Sequence, residues 1–234
     1  MVFGTKVVFA PSCSLHPHLK MFNTSCRVDL ALVPAAVAPT LKDAEIITDY
    51  CIGAVGAVRT VVIVSNTPIE QVERIWLDAH SRTSVQLSGY LAKNRWKISP
   101  QWLAMDDYSV MECPKQGDAY LIIGDKCFEY EGRFKYTYDL AEEWIAQTRL
   151  PFVFAVWVAR KGLSYDVHDA LERALTFGVE HTYEAILESD YAGRDYAYDY
   201  LTNNIDYLFD TQKHKALKKF WDFGLKIEPK VNPG

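Results

Sequence analysis

The sequence offers no apolar run longer than the eight residues 152–159, well short of the about 20 that a bilayer-spanning helix needs. A membrane-embedded protein is therefore not expected. The first ten residues carry Lys6 but no apolar stretch of secretory length, because Pro11, Cys13, His16 and Pro17 follow at once; the expected location is the cytoplasm. No C-x-x-C pair occurs among the five cysteines, Cys13, Cys26, Cys51, Cys113 and Cys127. Their odd number and wide spacing suit reduced thiols rather than a disulfide framework. There is no basic excess either: 25 Lys and Arg stand against 30 Asp and Glu, a formal charge of −5. Nucleic acid is thus not an expected partner. The six histidines show no H-x-x-x-H pattern beside a carboxylate, so no metal site is expected. His80 adjoins Ser81, but neighbouring residues do not make a nucleophile–base pair, and no G-x-S-x-G elbow is present.

What the chain does have is length and apolar content. At 234 residues and 49% apolar it can bury a substantial core, and length allows one large or two small domains. Segments rich in β-branched and aromatic residues occur at 6–10, 28–33, 60–65, 74–78, 119–124 and 151–159. Their continuity without polar alternation predicts strands covered on both faces. Helical spacing appears between them, at 83–93 and 138–148. Asp139 with Glu142 has the spacing of a capping box, and Asn66-Thr67-Pro68 supplies a cap and first-turn proline for a helix at 69–74. Alternation of this kind predicts an α/β fold. Beyond Gly162 the texture changes, and 165–187 and 195–223 read as a helical tail. Within it Lys213, His214, Lys215, Lys218 and Lys219 read as a solvated helix face, and Tyr191, Tyr196, Tyr198, Tyr200 and Tyr207 as packing against a sheet.

Three segments have the residue types for chemistry. Leu77-Asp78-Ala79-His80-Ser81-Arg82-Thr83-Ser84-Val85 runs from a predicted strand into a predicted helix. Free backbone N–H groups, the positive end of the helix dipole, hydroxyls and an arginine meet there, as a carboxylate or phosphate cradle requires. An ordinary cap needs only one of those hydroxyls. The segment 50–60 carries Gly53, Ala54 and Gly56 ahead of a strand and reads as a loop whose backbone either approaches a ligand or simply connects; its glycines do not fit the dinucleotide fingerprint. Ile123-Gly124-Asp125 ends a strand, and Asp125 there suits orientation of a substrate hydroxyl, service as a base, or a turn cap. Cys51 and Cys127 lie near these loops and read as buried apolar residues more readily than as reactive thiols.

The strings Val28-Asp29-Leu30-Ala31-Leu32-Val33-Pro34, Cys51-Ile52-Gly53-Ala54, Ser81-Arg82-Thr83-Ser84-Val85, Ile123-Gly124-Asp125 and Leu150-Pro151-Phe152-Val153-Phe154-Ala155 through Trp157 together resemble the chorismate dehydratases of the futalosine route to menaquinone. The related dihydroxynaphthoate-forming enzyme differs at these places. The resemblance implies a two-lobed fold similar to periplasmic binding proteins of the second type, with lobe 1 at 1–68 plus 163–234 and lobe 2 at 69–162. The hinge strands would cross near 65–70 and 159–163. It implies a lyase that removes water from chorismate to give 3-[(1-carboxyvinyl)oxy]benzoate, with Gly53, Ala54, Gly56, Ser81, Arg82, Thr83, Ser84 and Asp125 around the substrate. No cofactor is implied, since the elimination moves no electrons to an external acceptor. The family's early asparagine motif has no counterpart in this chain, and 1–10 resembles the family's second strand rather than its first. Three alternatives follow: an enzyme impaired by that absence, a non-catalytic binder of small anions on the same fold, or the related dihydroxynaphthoate synthase. A missing first strand would also leave a sheet edge available for a homodimer.

Overall fold

Two five-stranded sheets form, with the largely apolar segments 61–65, 118–123 and 152–160 at interior positions. A computed structural model describes residues 7–9, 28–78, 81–189, 193–224, 227, 229 and 230. The expectations attached to Cys13, Cys26, His16, His80 and Tyr191 lie outside them. The first sheet has the order β1 (Val7–Phe9), β2 (Leu30–Pro34), β9 (Phe152–Arg160), β3 (Ala44–Ala54), β10 (Asp206–Leu208). The second has the order β6 (Gln101–Met105), β5 (Arg74–Asp78), β7 (Asp118–Ile123), β4 (Val61–Ser65), β8 (Tyr136–Asp139). The β-branched run of β4 is buried at all five positions, between β7 and β8. Central strands of this kind are where continuous apolar sequence belongs.

The sheets exchange strands at different points from those expected. Residues 61–65, expected in the first lobe, pair in the second sheet, and 152–160, expected in the second, form the middle of the first sheet. The chain therefore crosses between Ala54 and Val61 and returns between Thr148 and Phe152. Pairing decides this, because sequence shows that a strand is buried but not which neighbour buries it.

The tail is also corrected. It contains helices α4 (Tyr165–Glu180), α5 (Thr182–Glu188), α6 (Arg194–Asp199) and α7 (Thr211–Asp222), but β10 interrupts the expected run at 195–223 and pairs antiparallel with β3. Earlier in the chain come α1 (Arg82–Leu91), α2 (Lys126–Glu129) and α3 (Leu140–Thr148). Asp139 caps α3 as its spacing predicts, accepting from the N–H groups of Ala141 at 3.0 Å and Glu142 at 3.1 Å. The segment expected as a helix at 69–74 holds only the short 3₁₀ turn Ile69–Gln71 before β5 begins. No described helix is long and apolar enough to cross a membrane.

Helix α7 is not a solvated basic face throughout. His214, Lys215, Lys218 and Lys219 are exposed, but Lys213 is buried at 1% exposure. Its ammonium donates to the Asp206 carboxylate and, at 2.7 Å, to the Leu208 carbonyl. The lysine thus fastens α7 to β10, and burying it is tolerable because both charge and protons find partners.

This lysine also explains Gly53. The expected loop at 50–60 is in its first part the end of β3, and Gly53 is a strand residue facing Lys213. A Cβ there would stand 2.8 Å from Lys213 Cε and 2.9 Å from the Phe152 carbonyl oxygen. Glycine is required by close packing. The strand escaped sequence reading because Thr48, with φ +73°, sits in a bulge that breaks the alternation between Ile46 and Cys51. Gly53→Ala should cost about 1–3 kcal/mol through overpacking. Urea unfolding should show this as a lower midpoint with an unchanged slope.

Candidate functional site

The core is continuous from one sheet to the other. Trp144 on α3 packs edge-on against Phe152 of β9 and Phe220 of α7, with ring centroids 5.2 and 6.2 Å away, and its indole N–H donates to the Pro151 carbonyl at 2.9 Å. Tyr90 on α1 meets both Trp144 and Phe223, at 4.6 and 4.9 Å. The tail is thereby bonded to the second sheet's helices as well as to the first sheet. Such a seam leaves a gap only where no large side chain reaches across.

That gap is a cavity of about 580 Å³, within the size range of small-molecule sites. Its first-sheet wall is Leu32, Val33, Pro34, Ile52, Phe154 and Ala155; its second-sheet wall is Val61, Ile123 and Gly124. Ser81, Thr83 and Ser84 enter from the N-terminus of α1. Val58 and Thr60 enter from the crossing segment, and Tyr200 and Ile205 from the tail. Gly124 stands at φ +66°, a left-handed turn out of β7 that glycine adopts without strain.

A helix starts where the sequence predicts it, and the hydroxyls at its start have unequal roles. Ser81 caps α1: its hydroxyl accepts from the Ser84 N–H at 3.2 Å and lies 2.6 Å from the Ser84 hydroxyl. The Thr83 hydroxyl accepts from the Ala36 N–H at 3.3 Å and donates to the Phe154 carbonyl at 3.1 Å. It is engaged in holding α1 against the first sheet. The first-turn N–H groups of Arg82 and Thr83 have no acceptor within the helix by helical geometry and carry its positive end. The Arg82 side chain does not line the cavity.

The other expected site residues separate. Gly53 and Ala54 are buried strand residues and Gly56 is exposed in the crossing segment; none of the three lines the cavity. Asp125 is exposed and lines a neighbouring cavity instead. Sequence reasoning missed Thr60 and Tyr200 as a pair. Their hydroxyls are 2.7 Å apart across 140 residues of chain, a separation that leaves no local signal. Burial raises the Tyr200 hydroxyl above the ordinary phenol range, opposed by its hydrogen bond with Thr60. The pair therefore stays neutral around pH 7. Among the described residues lining the cleft there is no carboxylate, imidazole, ammonium or guanidinium group. Among the described residues no group of three or more His, Cys, Asp or Glu could hold a metal ion.

The crossing segment is tied down beside the cleft. The Arg59 N–H donates to Asp139 at 2.6 Å; its guanidinium reaches Glu131 and Asp199, both at 3.7 Å, and lies 5.1 Å from the Tyr196 ring. Glu131 and Asp139 belong to the second lobe and Asp199 and Tyr196 to the tail, so one residue links both sides.

Two sheets on either side of a ligand-sized cleft, with the chain passing between them, define a periplasmic-binding-protein-like α/β fold. Solved structures agree. The chain is similar to protein AF1704 from Archaeoglobus fulgidus (TM-score 0.64, 18% identity, 93% of this chain and 84% of that one). It is also similar to an ABC transporter from Parabacteroides distasonis (TM-score 0.55, 16% identity, 94% and 80%). A family model described as "Menaquinone biosynthesis" matches residues 19–226. The chain belongs to that menaquinone biosynthesis family.

The two cysteines near the cleft are packing residues. Burial pushes the thiols of Cys51 and Cys127 up to about 12, far from the range of reactive thiolates. Cys113 is exposed. With a maleimide near neutral pH, peptide mapping should find Cys113 labelled and Cys51 and Cys127 unmodified until the protein is unfolded. Rapid native labelling of Cys51 would contradict its burial.

Proposed function

We propose that this protein is a chorismate dehydratase acting in the cytoplasm, in the futalosine route to menaquinone. Family membership over residues 19–226 supports the pathway, and the observation that carries the reaction is the chemistry of the cleft: a helix N-terminus with two hydroxyls at one end, apolar walls, and a neutral hydroxyl pair at the other. The reaction removes a ring C–H proton and the neighbouring hydroxyl of chorismate as one water, and the new aromatic ring is the driving force. The protein's part is to orient a dianion and keep bulk water out.

In this reading the lobes are the two sheets with their helices, and the substrate lies between them. The first-turn N–H groups of α1 with the Ser81 and Ser84 hydroxyls hold one carboxylate. Leu32, Ile52 and Phe154 flank the ring, and the Tyr200–Thr60 pair stands where a leaving hydroxyl can be held by hydrogen bonds. A second reading, a binder of small dianions without turnover, is favoured by one observation: no described cleft residue is a carboxylate, imidazole or amine able to take the ring proton.

Incubation with chorismate followed by chromatography and mass detection should yield the product one water lighter. Calorimetric binding without product would select the second reading, and neither binding nor product would overturn both. Because Thr83 is engaged in the seam, the informative variant is Ser81→Ala with Ser84→Ala. Loss of charge-assisted hydrogen bonds should weaken chorismate binding about ten- to a hundredfold. Removing the cap should lower stability by about 0.5–2 kcal/mol, read separately by thermal melting.

A further inference from the structure

Beside the cleft lies a second cavity of about 580 Å³, roofed by α4, α5 and α6 and floored by β2, β3 and β9. Leu32, Ile52 and Tyr200 line both spaces, so a single layer of side chains forms the partition. The chemistry on the far side of that partition is different. Six rings face the second cavity, those of Tyr50, Phe128, Trp157, Tyr196, Tyr200 and Tyr207, and small aliphatic residues of α4 and α5 complete it. Its described lining residues include no Lys, Arg or His and one carboxylate, that of Asp125. The tyrosine hydroxyls bring no charge: Tyr50 donates to Thr176 at 2.9 Å, and burial raises Tyr207 to about 12.

An anion entering this space would lose hydration, meet no cation among the described lining residues and approach Asp125, all of which oppose binding. A neutral apolar molecule would instead remove ring and aliphatic surface from water, at about 25 cal/mol per Å². The roof has room for it. Helix α4 has 16 residues and none is fully buried, and a Cβ placed on Gly178, which lines the cavity, would meet nothing within 4 Å. A concave apolar space lined by rings, with no cation among its described residues, has the construction of a ligand site.

We propose that this chamber binds a neutral, largely apolar molecule with a planar ring, seated between α4–α6 and the first sheet, separately from the cleft. The assignment does not depend on the reaction proposed for the cleft, since it rests on the chamber's own lining.

The test is a fluorescence titration of the full chain with N-phenyl-1-naphthylamine, an uncharged probe that brightens in apolar surroundings. The expected result is saturable binding of one probe per chain, unaffected by excess chorismate. A naphthalenesulfonate of similar size should bind at least tenfold more weakly. Gly178→Leu, which fills the roof and raises helix propensity, should weaken the neutral probe at least tenfold while melting as the parent does. Ala185→Leu, on α5, provides a second filling should the first unfold the protein. No saturable binding, equal affinity for the anionic analogue, displacement by chorismate, or undiminished binding in folded filled variants would each overturn the proposal.

Discussion

The Thr83 hydroxyl, held between the Ala36 N–H and the Phe154 carbonyl, is the constraint on which the site depends. It pins the first turn of a second-lobe helix to two segments of the first lobe. Together with the packing of Tyr90 on Trp144 and Phe223 it fixes the N-terminus of α1 relative to the apolar wall opposite. A hydroxyl can do this because it both accepts and donates, and it satisfies two partly buried backbone groups at once. The aromatic contacts among Tyr90, Trp144, Phe152, Phe220 and Phe223 extend the same seam, so the cleft lies within a shared core.

Around that seam the molecule separates two environments. On one side are a helix terminus and hydroxyls, suited to a hydrated anion that exchanges water for N–H donors. On the other are rings and a lone carboxylate, suited to a molecule with no charge. Tyr200 belongs to both: its ring faces the chamber, while its hydroxyl is tied to Thr60 in the cleft. The ring packing of Phe128 on Tyr196, centroids 4.4 Å apart, and the Arg59 contacts hold the tail in this position.

Much of the first-order plan could be read from residues alone. The strand β5 and the helix α3 with its Asp139 cap follow from β-branched continuity, apolar spacing and a carboxylate in cap position. So does the Ser81 cap, which is a local matter of one hydroxyl and one N–H. Less could be read where a signal depends on contact. The bulge at Thr48 concealed β3, and Gly53 looked like a loop glycine because Lys213, its reason for being glycine, lies 160 positions away. Lys213 itself looked like one member of a solvated run, and only the approach of Asp206 and Leu208 makes its burial affordable.

Composition and periodicity, with no tertiary contact considered, determined that this chain is α/β, that strands lie near 61–65, 74–78 and 118–123, and that a capped helix starts at Ser81. These depend on backbone propensity and on the spacing of apolar residues, which are properties of short segments. The tertiary structure decided which sheet received β4 and β9, which cradle hydroxyl was left to face the cleft, and that Asp125 and Tyr200 would line a second chamber. Those outcomes depend on pairing and packing between residues far apart in the chain. Their free energies are set by the partner that arrives, and no local window of sequence contains it.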